Sequence, residues 1–260
     1  MNIYVFVKRV PDTESKIRID REKNMVIEEG LNFIISPYDE YALEEALRIR
    51  ESKGGKVTAV SVGPEGTVPI LKKCLAMGAD EAFLVKDEGS ESYDGLRTAR
   101  IIAQTVKKKC AESTLLLFGK QSVGADNSQV PSMVAELLGL PHVNVVTKLE
   151  LEDQSGTAHR EIEGAQEKIS FPLPAVISAQ KGLNEPRYET LKGIMAAKKK
   201  EIPAFTLEDL ELNGAELSSG VEIVGMESPP VREAGTVIED EPAEAARKLV
   251  AFLRQDAKVI

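Results

Sequence analysis

The stretch Lys56-Val57-Thr58-Ala59-Val60-Ser61-Val62-Gly63-Pro64 decides the fold. It lacks the regular apolar–polar alternation of a half-wet strand, so it predicts a strand covered on both faces and ended by Gly63-Pro64. Asn2–Val7, Ala82–Val85 and Thr114–Phe118 have the same character. Helix-period segments lie between them. Ser36-Pro37-Tyr38-Asp39 opens one: Ser36 suits a cap, Pro37 the first helical position, and Asp39 and Glu40 the positive end of the dipole. Ala42, Leu43, Ala46, Leu47 and Ile49 give it an apolar stripe, and Gly54-Gly55 stops it. A second helix runs through Leu71, Leu75 and Met77 to Gly78, a third spans Leu96 to Lys109, and a fourth about Gln129 to Leu138. Strand alternating with helix over short loops predicts an α/β protein with a doubly wound, mainly parallel sheet.

Further out the pattern changes. Alternation at Ile17, Ile19 and Val26-Ile27 around Asp20–Asn24 predicts a small surface hairpin. After Pro141, Val143–Thr147, Leu149–Leu151, His159–Ile162 and Lys168–Phe171 read as a small antiparallel part, followed by an apolar strand at Ala175–Ala179. Lys181 to Lys200 is a Pro- and Gly-punctuated loop ending in a short helix. From 204 onward the chain is polar and acidic, with an amphipathic helix at Pro242–Arg254. Residues 1–203 are therefore expected to form the α/β domain, and 204–260 an extended C-terminal arm that covers the domain or a partner chain.

Composition narrows the class. The 260 residues suffice for one large domain with an appendage. Hydrophobic residues at 42% and charged residues at 29% exclude disordered and collagen-like chains. A net charge of −9 argues against nucleic-acid binding, which needs a positive surface. No apolar run reaches the roughly 20 residues of a membrane span, and Asn2–Val7 is too short for the core of a signal peptide. Cys74 and Cys110 make no disulfide framework, so the cytoplasm is the expected location.

Catalytic signatures are missing. Gly119-Lys120 is followed by Gln121, not by the Ser or Thr of a phosphate loop. His142 and His159 have no cysteine nearby for a metal site, and neither cysteine has a neighbouring base, so no catalytic residue is assigned. What remains is loop chemistry at the carboxyl ends of strands, where open parallel sheets bind ligands. Phe6–Arg9, Val62-Gly63-Pro64 and Gly119–Val130 are such loops. The last is richest: its glycines permit close backbone approach, and Ser128-Gln129 at a helix start offers N–H groups to a phosphate. Asp126, Asn127 and Gln129 can pair with sugar hydroxyls or an adenine edge. By spacing alone, a plain polar loop capping a helix is the alternative. Ser122–Ser128 echoes the pyrophosphatase loop of adenylating enzymes, but Val123 replaces its middle glycine, so ATP cleavage is not expected.

Several blocks together carry a family resemblance. Val7-Lys8-Arg9-Val10-Pro11-Asp12, Ser36–Ala46, Ala76-Met77-Gly78-Ala79-Asp80, Gly119–Gln129 and Ala135–Pro141 resemble the β subunits of electron transfer flavoproteins. Most specific is Leu183-Asn184-Glu185-Pro186-Arg187-Tyr188-Glu189-Thr190-Leu191-Lys192-Gly193, continuing to Lys200. The likeness covers about Met1 to Pro203, with a tail of similar character. It departs at Ser36, where the family commonly has Asn, and at Gly124-Ala125-Asp126, where Asp-Gly-Asp is common.

The resemblance implies a Rossmann variant like the adenine-nucleotide hydrolases, and an electron-carrier subunit, not an enzyme. It implies a heterodimer with an α subunit that holds most of the FAD, while this chain supplies one wall and keeps a structural AMP. Phe6, Val62, Ser122, Asp126, Ser128, Gln129 and Val130 are the implied AMP residues, and Thr13 and Tyr38 the flavin-facing ones. Leu191 stands where the family has the apolar anchor of its recognition loop, 183–200, with Tyr188, Ile194 and Met195 beside it; a core residue of a short helix is the alternative. Donors would be acyl-CoA dehydrogenases of fatty acid oxidation, and the acceptor a quinone oxidoreductase. A bifurcating variant with a second FAD in place of AMP, or a stand-alone adenine-nucleotide sensor, are the competing readings.

Overall fold

A computed structural model describes residues 1–89, 94–110, 112–213, 217–230 and 235–260. The predicted parallel strands form as read. β1 (Asn2–Phe6) lies between β6 (Lys56–Gly63) and β8 (Leu115–Gly119), with β7 (Glu81–Lys86) beyond β6, all parallel. β12 (Ala175–Ala179) pairs parallel with β8, its five residues all buried. The nine-stranded sheet runs β11-β10-β9-β12-β8-β1-β6-β7-β13, where β9 is His142–Leu151, β10 Ser155–Ile162, β11 Ala165–Pro172 and β13 Ala204–Phe205.

Alternate residues of each central strand serve opposite cores, which is why the strands carry apolar residues on both faces. Ile3, Val5, Leu115, Leu117 and Ile177 pack with α1 (Pro37–Lys53) and α2 (Val68–Met77). Phe6, Val60, Leu116, Phe118 and Val176 pack with α3 (Gly95–Lys109) and α4 (Val130–Leu138). Ala42, Leu43, Ala46 and Leu47 of α1 are fully buried, as their spacing predicts. The sheet is thus doubly wound, with β8 and β1 at the point where the chain's winding reverses.

One local reading changes, one holds, and one small pair is new. Val143–Thr147 and Leu149–Leu151 are one strand, β9, whose first half pairs parallel with β12 and whose second half pairs antiparallel with β10. Val145, at φ 59°, sits at the irregularity in that strand. The hairpin around Asp20–Asn24 forms as a two-residue ladder, β3 (Ile19–Asp20) with β4 (Met25–Val26). A second small pair, β2 (Arg9–Pro11) with β5 (Phe33–Ile35), follows β1.

The chain divides into two compact units, Met1–Met226 and Glu227–Ile260. Residues 204–226, placed in the arm by sequence, belong with the first unit. β13 adds an edge to the sheet, and Leu210 and Leu217 are buried in the core of the α3–α4 face. The second unit contains α6 (Pro242–Gln255), on which Leu249, Val250 and Phe252 are exposed. The arm's residues 214–216 and 231–234 lie outside the described residues.

Candidate functional site

The loops after β1 and β8 diverge at the reversal point, and a cavity of about 930 Å³ opens there. One side chain ties the two loops. Asp39, in the first turn of α1, accepts from the Lys8 backbone N–H at 2.8 Å through Oδ2 and from the Gly119 N–H at 2.9 Å through Oδ1. Gly119 has no room for more: a Cβ there would lie 2.5 Å from Asp39 Oδ1 and 2.6 Å from the Tyr38 carbonyl carbon. Burial pushes the Asp39 carboxyl up to about 7, against the two N–H donors and the nearby Lys8 ammonium. Burial likewise lowers Lys8, with Asp39 partly opposing it.

The remaining walls follow from the fold. Phe6 and Phe118, adjacent across β1 and β8, stack at 4.7 Å between ring centroids, and with Val60, Val62 and Ile102 they give the cavity an apolar side. The first turns of α3 and α4 converge on it: a Cβ on Gly95 would lie 3.1 Å from Gln129 Oε1. Asp94 already takes the first amides of α3, whereas α4 has no side-chain cap. Of these two helices, α4 is therefore the one with amides left for an anion. Arg9 is occupied: its guanidinium lies 3.2 Å from the Phe33 ring centroid and makes two 2.8 Å bonds to Glu28, which hold that carboxyl below its usual range. Lys8 Nζ reaches Ser122 Oγ at 3.4 Å, and Lys120 Nζ lies over the Tyr38 ring. An apolar slot beside helix amides and lysine ammonium groups suits a nucleotide, base in the slot and phosphate toward the donors.

Phe6, Val62, Thr13, Ser122, Gln129 and Val130 line this cavity; Asp126, Ser128 and Tyr38 do not. Asp126 and Ser128 instead shape the loop. Both have positive φ, at 49° and 51°, and they grip Gln121 from either side: Gln121 Nε2 donates to Asp126 Oδ1 at 2.6 Å, and Ser128 Oγ donates to Gln121 Oε1 at 2.8 Å. Sequence reasoning had Asp39 only as a dipole charge, and it missed Gly95 and Thr98 of α3 and Val221, Ile223 and Met226 as lining residues. The signal for Asp39 was its place one turn into a helix that begins beside the end of β1. Among the described residues, no group of three or more metal-ligating side chains is placed to hold an ion, and no helix is long and apolar enough to cross a membrane.

A second surface has the opposite character. Tyr188 is 92% exposed, Leu191 75% and Met195 59%, on and just before α5 (Leu191–Lys199). Ile194 instead turns inward and packs on the α1–α2 core. The backbone beneath is firmly held. Arg187 makes paired bonds to Glu44 and to Glu51, and Asn184 Nδ2 donates to the Tyr41 carbonyl and to Glu45. That explains why Glu44 and Glu45 of α1 are buried, and why the Arg187 guanidinium is held above its usual range. Thr190 caps α5 through the Gly193 N–H, and Lys72 Nζ donates to the carbonyls of Ala197, Lys198 and Lys200 at its end.

With this geometry in view, known proteins give a consistent comparison. A sequence model of the electron transfer flavoprotein domain matches residues 23–210. The chain is similar to the electron transfer flavoprotein subunit beta of Bacillus subtilis, at 41% identity over the whole of both chains. It is likewise similar to the subunits of that name from Thermoanaerobacterium thermosaccharolyticum, at 39% over 97% of this chain and 98% of the other, and from Mus musculus, at 38% over 98% and 97%. The chain belongs to the electron transfer flavoprotein family, among its beta subunits.

Proposed function

We propose that this chain is the β subunit of a heterodimeric electron transfer flavoprotein acting in the cytoplasm. Paired with an α subunit, it forms one wall of an FAD site and keeps an AMP in the cavity between β1 and β8. The observation that carries the nucleotide reading is the convergence of the uncapped α4 terminus, Lys8 and the Phe6–Phe118 slot on that one cavity. FAD, when bound, supplies the redox chemistry. The chain's own residues bind and orient: Val62, Gln129 and Val130 contact the adenylate, Ser122 sits beside the Lys8 ammonium, and Asp126 and Ser128 support through Gln121. Thr13 and Tyr38 belong to the flavin-facing wall.

The surface at 183–200 docks acyl-CoA-dehydrogenase-type donors of fatty acid oxidation, with Leu191 as anchor and Tyr188 and Met195 flanking it. Electrons then pass through FAD to a quinone oxidoreductase. A carrier must also release its partners, and a small apolar anchor on a charged surface suits brief encounters. The second unit, Glu227–Ile260 with α6, grips the α subunit.

One observation favours a second reading. The cavity's 930 Å³ lies near the top of the roughly 300–1,000 Å³ range of ligand pockets, which leaves room for a larger nucleotide such as a second FAD in a bifurcating variant. Co-expression with an α subunit, followed by flavin and AMP counting per heterodimer, separates the cases. One FAD and one AMP support the carrier, and two FAD the bifurcating variant. A chain that recruits no subunit and holds ATP alone would be a sensor and would overturn both.

A further inference from the structure

The segment 217–226 forms neither helix nor strand, yet Val221, Ile223 and Met226 line the cavity. Its position is set from α3. Asp94 Oδ1 accepts from the amides of Leu96 at 2.9 Å and Arg97 at 3.1 Å, which caps the helix. The other oxygen, Oδ2, reaches across to the segment and accepts from the Gly220 N–H at 2.7 Å and from Ser219 Oγ at 3.4 Å. Arg97 adds a second tie: its Nε donates to the Leu217 carbonyl at 3.1 Å, while its outer nitrogens are held by the buried Asp87 carboxylate. Leu217 itself is buried in the α3–α4 core. Ordering a run of residues without a ladder costs backbone entropy, and a carboxylate with four donors plus a buried leucine offsets it at one end.

We infer that Asp94 and Arg97 are positioning residues that clasp 217–226 as a wall of the cavity, so that a bound nucleotide stays only while the clasp holds. The inference rests on the nucleotide reading above. The same Asp94 caps the helix whose first turn, through Gly95 and Thr98, lines the cavity, so the cap and the wall are set by one carboxylate. A loop reading of the sequence cannot find this, because the partners lie 125 and 126 residues apart.

The test uses the full-length chain with its co-expressed subunit and two variants. Asp94→Asn removes the charged acceptor. Gly220→Pro removes the donating N–H and stiffens the backbone there, but keeps the Asp94 side chain that caps α3, so it answers even where the first variant weakens the helix. Release of radiolabelled AMP is timed, and proteolytic cleavage within 217–226 is measured in parallel. Both variants should release AMP at least about tenfold faster, as loss of one charge-assisted bond implies, and be cut faster in the segment. Unchanged AMP release despite faster cutting overturns the inference, as does unchanged cutting. Should the wild-type chain take up no AMP, the nucleotide reading fails and the residence claim with it, while the cutting rates still decide whether Asp94 holds the segment.

Discussion

The cavity end of the sheet and the 183–200 surface solve opposite problems with the same material. At the cavity, polar groups are drawn inward: Asp39 gives up water to join Lys8 and Gly119, and Gly119 is packed so tightly that no side chain fits. At 183–200, apolar side chains are pushed outward on a backbone that Arg187, Asn184, Thr190 and Lys72 hold in place. The lesson is that exposure here does not mean looseness. On the proposed docking role, such an anchor on a tethered frame would meet a partner without first paying to become ordered.

Substitutions that break this contrast rank by how deep they reach. Gly119→Ala forces a methyl against Asp39 and Tyr38, and should cost about 3 kcal/mol in urea unfolding, the upper end of ordinary overpacking, together with the cavity's ligand. Arg187→Ala strips the buried Glu44 of its partner. Because Arg187 is itself partly exposed, the loss should be nearer 2 kcal/mol than the value for a fully buried pair, with docking weakened and ligand content unchanged.

Asp39→Asn turns one acceptor into a donor facing a backbone N–H, for about 1.5 kcal/mol. It also carries a pH signature. The folded carboxyl titrates near 7, above its unfolded value of 3.8, so between those limits the folded state binds more protons. Stability from this group is therefore present at low pH and is lost as pH rises through 7. Unfolding measured across that window should show this decline in the wild-type chain and not in Asp39→Asn. Leu191→Ala, at an exposed position, should change stability by less than about 0.5 kcal/mol.

Much of the fold was legible because its central strands are apolar on both faces and its helices carry ordinary start and stop residues. β13 was not, since two residues at a sheet edge carry no period. β9 looked like two strands because it changes partner along its length, parallel to β12 and then antiparallel to β10. In the site, the strand-end loops could be named from topology, but what joins them could not. Asp39 acts on residues 31 and 80 positions away, and Glu44 is buried by an arginine 143 positions away. Local pattern reads one face of a helix as wet when a distant segment covers it.

The most direct test of the proposed division of labour is the rate at which a reduced acyl-CoA dehydrogenase delivers electrons to the flavin of the proposed heterodimer, in the wild-type chain and in Leu191→Ala, with FAD and AMP counted in the same samples. A slower transfer with both counts unchanged is the predicted result. An unchanged rate, or loss of flavin or AMP in the variant, would contradict the separation of a nucleotide-holding core from a docking surface.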